Sequence, residues 1–310
     1  MSDTQNWERQ LLEKLASAAL AEQRRSRQWK IFFRLAWLAI IGLIAASLFM
    51  RGEEKAGGLS GGHTAVIELD GAITSESDTG NKMIKALDQA FRDSGTKGVI
   101  IDANSPGGSP VLSGMVYDEI RRLKKLHANV PVYVVVSEVC ASGCYYIAAA
   151  ADKIYVDKAS IVGSIGVLSD GFGFTGAMEK LGIDRRLKTA GENKAMGDPF
   201  SPVNPKHDAI RQLLLDDIHA QFIQAVETGR GQRLKKDPQL FSGMVWLGEK
   251  AVPLGLADGY GTVASVARDV VKADKTVDFT QQDDFSSRVA RRIGVQFAGG
   301  VKSLFDTKLF

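Results

Sequence analysis

Residues 130–152 read VPVYVVVSEVCASGCYYIAAAAD, and this stretch decides the fold. Val132 to Val136 is an uncharged run of β-branched and aromatic residues, the pattern of a parallel strand buried on both faces. Ser137 to Cys140 reads as a small polar connection. From Ser142 onward the alanines, Ile147 and two tyrosines suit a helix buried on most sides. Ser142 therefore stands where a strand hands over to a helix. Free backbone N–H groups and the positive end of a helix dipole stabilise negative charge at such a place. The serine is a candidate nucleophile there, and the plain alternative is a helix N-cap.

Outward from this stretch the same alternation continues. Thr64 to Leu69 (TAVIEL) reads as a strand, Met83 to Phe91 as a helix, and Lys97 to Asp102 (KGVIID) as a buried strand running into NSPGGS. Val111 to Leu126 is helical by spacing, Lys153 to Val156 is a strand, and Ile161 to Val167 is apolar and Gly-rich. A helix near 176–181, a strand near 183–188 and a loop over 189–204 follow. A long amphipathic helix covers about 205–229, then a short helix, turn and strand over 247–261, and a helix over 263–271. Units of about 30 residues in this order imply right-handed βαβ crossovers and a mainly parallel sheet.

The N-terminal end is different. Residues 31–50 (IFFRLAWLAIIGLIAASLFM) carry one charge, Arg34. A stretch of twenty residues spans a hydrocarbon core of about 30 Å. No A-x-A-like cleavage site follows, so it reads as an uncleaved anchor. Arg24, Arg25, Arg27, Lys30 and Arg34 crowd its N-terminal side, whereas Arg51 and Lys55 are matched by Glu53 and Glu54. The positive-inside rule then places the N-terminus in the cytoplasm and the rest outside. The expected organisation is a cytoplasmic segment over 1–30, an anchor over 31–50, and a linker over 51–62. A catalytic domain over 63–273 and a tail over 274–310 complete it.

Composition sets further bounds. The 39 basic residues against 36 acidic leave a net charge of +3, which argues against a nucleic-acid partner. His63, His127, His207 and His219 are scattered, and most of them are expected at surface or cap positions; no metal site and no cofactor is expected. The two cysteines, Cys140 and Cys144, flank Ser142, one in the strand-side connection and one in the helix. A disulfide between them is not expected.

Three further features complete a constellation. Gly107 and Gly108, in SPGGS after a buried strand, let the backbone turn with exposed N–H groups, which with the N–H of Gly143 suit an oxyanion hole. Taken alone they are a strand-to-helix loop. Lys194 lies in a Gly-flanked loop; such a lysine is ordinarily a solvated charge, but one buried beside a serine is a general base. Ser164, in GSIG, is placed to orient that amine.

The stretch from about 64 to 273 resembles the signal peptide peptidase A family of Ser–Lys peptidases, in its short, single-repeat form. The resemblance rests on SPGGS (105–109), ASGCYYIA (141–148), GSIGV (163–167), GENKAMGDP (191–199) and VWLGEKAVPLGLADGYG (245–261), in family order. It implies the α/β fold shared with the Clp protease and crotonase families, built of repeated ββα/βαβ units. It also implies Ser142 as nucleophile, Lys194 as general base, Ser164 as the residue orienting the lysine, and an oxyanion loop at Gly107–Gly108. Position 144 departs, being Cys where the family more often has a second Gly. No histidine lies between 128 and 206, which disfavours a Ser–His–Asp triad.

The expected function is a membrane-anchored serine endopeptidase acting on signal-peptide remnants or other apolar peptides. Its expected site of action is the outer face of a bacterial cytoplasmic membrane, and its expected assembly a ring-like homo-oligomer. The alternatives are a related peptidase acting on a specific membrane protein and a non-catalytic scaffold that keeps the fold.

Overall fold

The computed structural model describes residues 27–42 and 62–281. The chain divides into two units at Ser60/Gly61. In the first, residues 27–42 form helix α1, with Trp29, Phe32, Phe33, Trp37 and Leu38 all exposed. Among the described residues no helix is long and apolar enough to cross a membrane. Residues 43–50 of the expected anchor lie outside the described residues, as do 1–26, 51–61 and the part of the expected tail beyond 281.

The second unit begins with β1 (His63–Asp70), α2 (Thr79–Arg92), β2 (Thr96–Ser105), α3 (Pro110–Leu126) and β3 (Val132–Ala141). Next come α4 (Gly143–Ala148), β4 (Lys153–Val156), β5 (Ile161–Gly163), α5 (Thr175–Lys180) and α6 (Pro205–Arg230). β6 (Val245–Leu247), α7 (Gly248–Leu254), β7 (Gly259–Tyr260) and α8 (Val263–Ser265), which runs into a π turn at Val266–Val271, lead to β8 (Thr276–Asp278). The sheet runs β6-β5-β3-β2-β1-β8, with β4 also on β3 and β7 on β4. Each pairing is parallel except the antiparallel β5–β6 pair. This is the mixed α/β architecture expected of a Clp protease-like chain.

Three expectations need correcting. The small polar connection at 137–140 is strand: β3 pairs with β4 over Tyr133–Val136, then takes β5 as its neighbour over Val139–Ala141. Ser137 and Glu138, where it changes partner, are exposed, which is why they read as a loop. Residues 183–188 form no strand; they are exposed and have no strand partner among the described residues. The sheet also continues past residue 273, because Thr64, Ala65 and Val66 pair with Thr276, Val277 and Asp278.

Alternation along the central strands divides the core. Val99, Ile101 and Ala103 of β2 and Val132, Val134 and Val136 of β3 pack with apolar residues of α2, α3 and α4. Ile100, Tyr133 and Val135 pack on the other face with Val266 and Ala267. A sheet covered on both faces explains the uninterrupted hydrophobic runs. Each such Ile or Val, fully buried, contributes about 1.5–3 kcal/mol.

Beside β4 lies a buried ion pair. Arg230 and Asp258 meet at 2.8 Å with side chains 0% and 12% exposed, and Arg233 reaches the other carboxylate oxygen at 3.2 Å. Arg230 Nε donates to the Gly255 carbonyl, and Asp258 also accepts the Ile154 N–H. Burial pushes the Asp258 carboxyl up. The Arg230 hydrogen bond and charge, the Ile154 N–H and Arg233 outweigh it and hold the carboxyl below its ordinary range.

Candidate active site

The site is assembled at the carboxyl ends of β2, β3 and β5. At the end of β2, Ser105 Oγ donates to the Gly71 carbonyl at 2.5 Å and accepts the Gly107 N–H at 3.1 Å. Gly107 and Gly108 have φ of +94° and +151°, conformations that favour glycine. Their loop is stitched to Ile73, whose N–H donates to the Gly107 carbonyl and whose carbonyl accepts the Ser109 N–H. A Cβ on Gly108 would stand 2.2 Å from the Ile73 oxygen. Ser109 then caps α3 by accepting the Leu112 N–H, with Pro110 in the first turn.

Ser142 follows β3 directly, with φ 52° and ψ −122°. A non-glycine residue held there costs about 1–3 kcal/mol, and such strain persists only when the surroundings over-determine it. They do: the Ser142 N–H donates to the Gly163 carbonyl at 2.8 Å and its carbonyl accepts the Tyr146 N–H at 2.9 Å. Its side chain makes no capping bond, so the N-cap alternative fails. α4 has six residues, too short for a large helix dipole, so any anion stabilisation falls to individual N–H groups.

Those groups converge. A Cβ on Gly107 would lie 2.6 Å from the Gly143 nitrogen and 2.8 Å from the Ser142 Cβ. A Cβ on Gly143 would lie 3.2 Å from the Gly108 nitrogen. Glycine at these positions therefore lets the two chain segments approach more closely than any side chain would allow. The N–H groups of Gly143 and Gly108 make no hydrogen bond among the described residues, whereas that of Gly107 is taken by Ser105. Of the two loop glycines, Gly108 is the available donor.

Ser164 is one residue past the carbonyl that holds Ser142. It has φ 51° and its N–H donates to the Met244 carbonyl at 2.7 Å. Lys194 is elsewhere. It lies in an exposed run of turns, its N–H bonded to the Gly191 carbonyl, and among the described residues no hydrogen bond or ion pair joins its amine to Ser142 or Ser164. The segment around it, residues 168–204, exposes Leu168, Phe172, Leu181 and Val203. It holds itself together by Phe174 stacked on Phe200 and by Arg185 paired with Asp198.

Several features here were not read from the sequence. Cys140 and Cys144 form a disulfide, with Cα atoms 5.1 Å apart, correcting the expectation of two free thiols. The strained turn at Ser142 folds the chain back on itself and brings the two together. Ser113, fully buried on α3, lies under Gly143, where a Cβ would stand 2.4 Å from its hydroxyl. Trp246 of β6 covers Gly163, where a Cβ would meet its ring at 2.9 Å. His63 is fully buried, because it opens β1, which lies between β2 and β8, and stacks on Phe279. No histidine hydrogen-bonds Ser142 among the described residues.

Comparison with known proteins places this geometry. The model of peptidase family S49 matches residues 124–278, half of the chain, and the matched part holds Ser142, Ser164 and Lys194. The chain belongs to peptidase family S49. Among its relatives, a putative protease of Synechocystis (slr0021) is 31% identical over 198 residues, 64% of this chain and 69% of the relative. A putative signal peptide peptidase SppA of Enterococcus faecium is 31% identical over 194 residues, 63% of this chain and 56% of the relative. A Brucella melitensis protein named Na(+)/H(+) antiporter NhaA is 46% identical over 182 residues, 59% of this chain but 25% of that protein. The chain thus spans a quarter of one of these relatives and just over half of another.

Proposed function

We propose that this S49 chain is a membrane-anchored endopeptidase working through a Ser142–Lys194 dyad. Ser142 Oγ attacks a peptide carbonyl while the Lys194 amine takes its proton. The oxyanion is held by the N–H groups of Gly143 and Gly108, with Gly107 shaping the loop. The proton passes to the leaving amine, and water then hydrolyses the acyl-enzyme. Losing one oxyanion donor typically slows such a reaction about 10²–10³-fold. Ser164 orients the lysine.

The observation that carries this reading is Ser142 itself: φ 52°, no capping role, and the unengaged N–H groups of Gly143 and Gly108 in the segments packed together around it. The exposed Lys194 segment supports a shared site, in which the lysine reaches the serine of a neighbouring subunit in a closed homo-oligomer. The hydrophobic run 31–50, whose described part exposes Phe32, Phe33, Trp37 and Leu38, supports an anchor there, with the catalytic unit on the outer side of the membrane. Such an anchor favours signal-peptide remnants and other apolar peptides as substrates, and the name of the Enterococcus relative points the same way.

The test is subunit mixing. Full-length Ser142→Ala and Lys194→Ala, each folded, should each lack hydrolysis of an apolar signal-peptide fragment, and their mixture should regain part of it. Substantial activity in Lys194→Ala alone would remove the lysine from the mechanism.

A further inference from the structure

We propose that the Cys140–Cys144 disulfide is a positioning clamp for Ser142, and that it makes the peptidase answer to dithiol reductants. This rests on the reading of Ser142 as nucleophile. The bridge joins the last turn of β3 to the start of α4 and so closes a ring of five residues with Ser142 at its centre. Ser142 is the residue of that ring in a positive-φ conformation. A short covalent ring around a strained residue removes the neighbouring conformations into which it would relax.

The clamp also reaches the oxyanion loop. Cys140 is in register with Ser105 on β2 and with Val162 on β5. Ser105 holds the Gly107 N–H, and β5 ends in Gly163, whose carbonyl holds the Ser142 N–H. One end of the bridge is therefore fixed between the two strands that carry the other parts of the site. The other end, Cys144, stands next to Gly143, a proposed oxyanion donor. No other bond spans Ser142 covalently, and the chain has no further cysteine to exchange with.

Reduction is balanced by a dithiol. One of its thiolates attacks a bridge sulfur to give a mixed disulfide, its second thiol displaces the cysteine, and the chain gains two thiols while the reagent becomes a cyclic disulfide. Both cysteines are fully buried, so attack follows opening of the Ser142 turn. After reduction the two sulfurs move to van der Waals separation and the turn gains freedom. Misplacing a reacting group by about 1 Å can slow a reaction about 10²-fold.

The experiment uses the full chain purified in detergent without reductant. Maleimide titration under denaturing conditions should find no free thiol before dithiothreitol and two after it. Reduction should lower kcat about tenfold or more with KM little changed, and diamide should restore it, which an unfolded chain would not allow. Cys140→Ala/Cys144→Ala should match the reduced enzyme and ignore dithiothreitol. Two free thiols before reduction, or full kcat once both are free, would overturn the clamp alone. An oxidised chain that hydrolyses nothing would overturn the peptidase reading and the clamp with it.

Discussion

The carbonyl of Gly163 accepts the Ser142 N–H at 2.8 Å, and the next residue along is Ser164, held in turn by the Met244 carbonyl at 2.7 Å. Two serines in positive-φ conformations are thus set side by side by the ends of β3 and β5, with β6 behind them. β6 is the antiparallel member of the sheet, and it is where support for the site is most open to test.

Trp246 fills the space left by the missing Cβ of Gly163, yet its indole Nε1 is buried without a hydrogen-bond partner among the described residues. A buried donor left unpaired costs about 1–3 kcal/mol. Trp246→Phe removes the donor and keeps most of the ring, so its melting temperature should stay close to wild type. Trp246→Ala should lose about 2 kcal/mol or more and most of kcat, as Gly163 and Ser142 lose their backing. Thermal melts and kcat on both variants read the difference.

Gly143 and Ser113 make a second pair. Gly143→Ala places a methyl 2.4 Å from the Ser113 hydroxyl, an overpacking expected to cost about 1–3 kcal/mol. Adding Ser113→Ala removes the clashing oxygen, and the Ser109 carbonyl it bonded still accepts the Ser113 N–H. The double variant should regain most of its stability in urea. It should not regain activity, because the methyl remains 3.2 Å from the Gly108 nitrogen and crowds the proposed oxyanion donors.

Much of this arrangement was legible in the chain, and what was not has physical causes. β1, β2 and β4 are β-branched runs bounded by turn residues, so their position follows from local pattern. The end of β3 was obscured because Ser137 and Glu138 face solvent where the strand changes neighbours. Residues 183–188 carry strand-like side chains, but nothing among the described residues pairs with them. The Cys140–Cys144 bridge depends on the conformation of Ser142, which spacing alone does not reveal. Ser142 and the glycine loop converge in one chain, with Ser164 one residue past the carbonyl that holds Ser142, and Lys194 does not join them there.

Asp258 gives a pH prediction. Its carboxyl titrates below the ordinary aspartate range in the folded chain, so the unfolded chain binds its proton more readily. The stability it contributes is present above the ordinary aspartate pKa of about 3.9 and is lost as pH falls through the lower folded value. Asp258→Asn should be destabilised near neutral pH by about 3–5 kcal/mol, since it leaves Arg230 buried without its charge partner. Its urea midpoint should also fall less steeply than the wild type's below about pH 4. Parallel acid curves for the two proteins would remove Asp258 from the acid response.

The central claim, that Ser142 is the nucleophile, is tested most directly by labelling the full chain with a fluorophosphonate and locating the adduct by peptide mass spectrometry. The adduct should sit on Ser142, be absent from Ser142→Ala, and form far more slowly in Lys194→Ala. An adduct on another serine, or peptide hydrolysis by purified Ser142→Ala at the wild-type rate, would contradict the account.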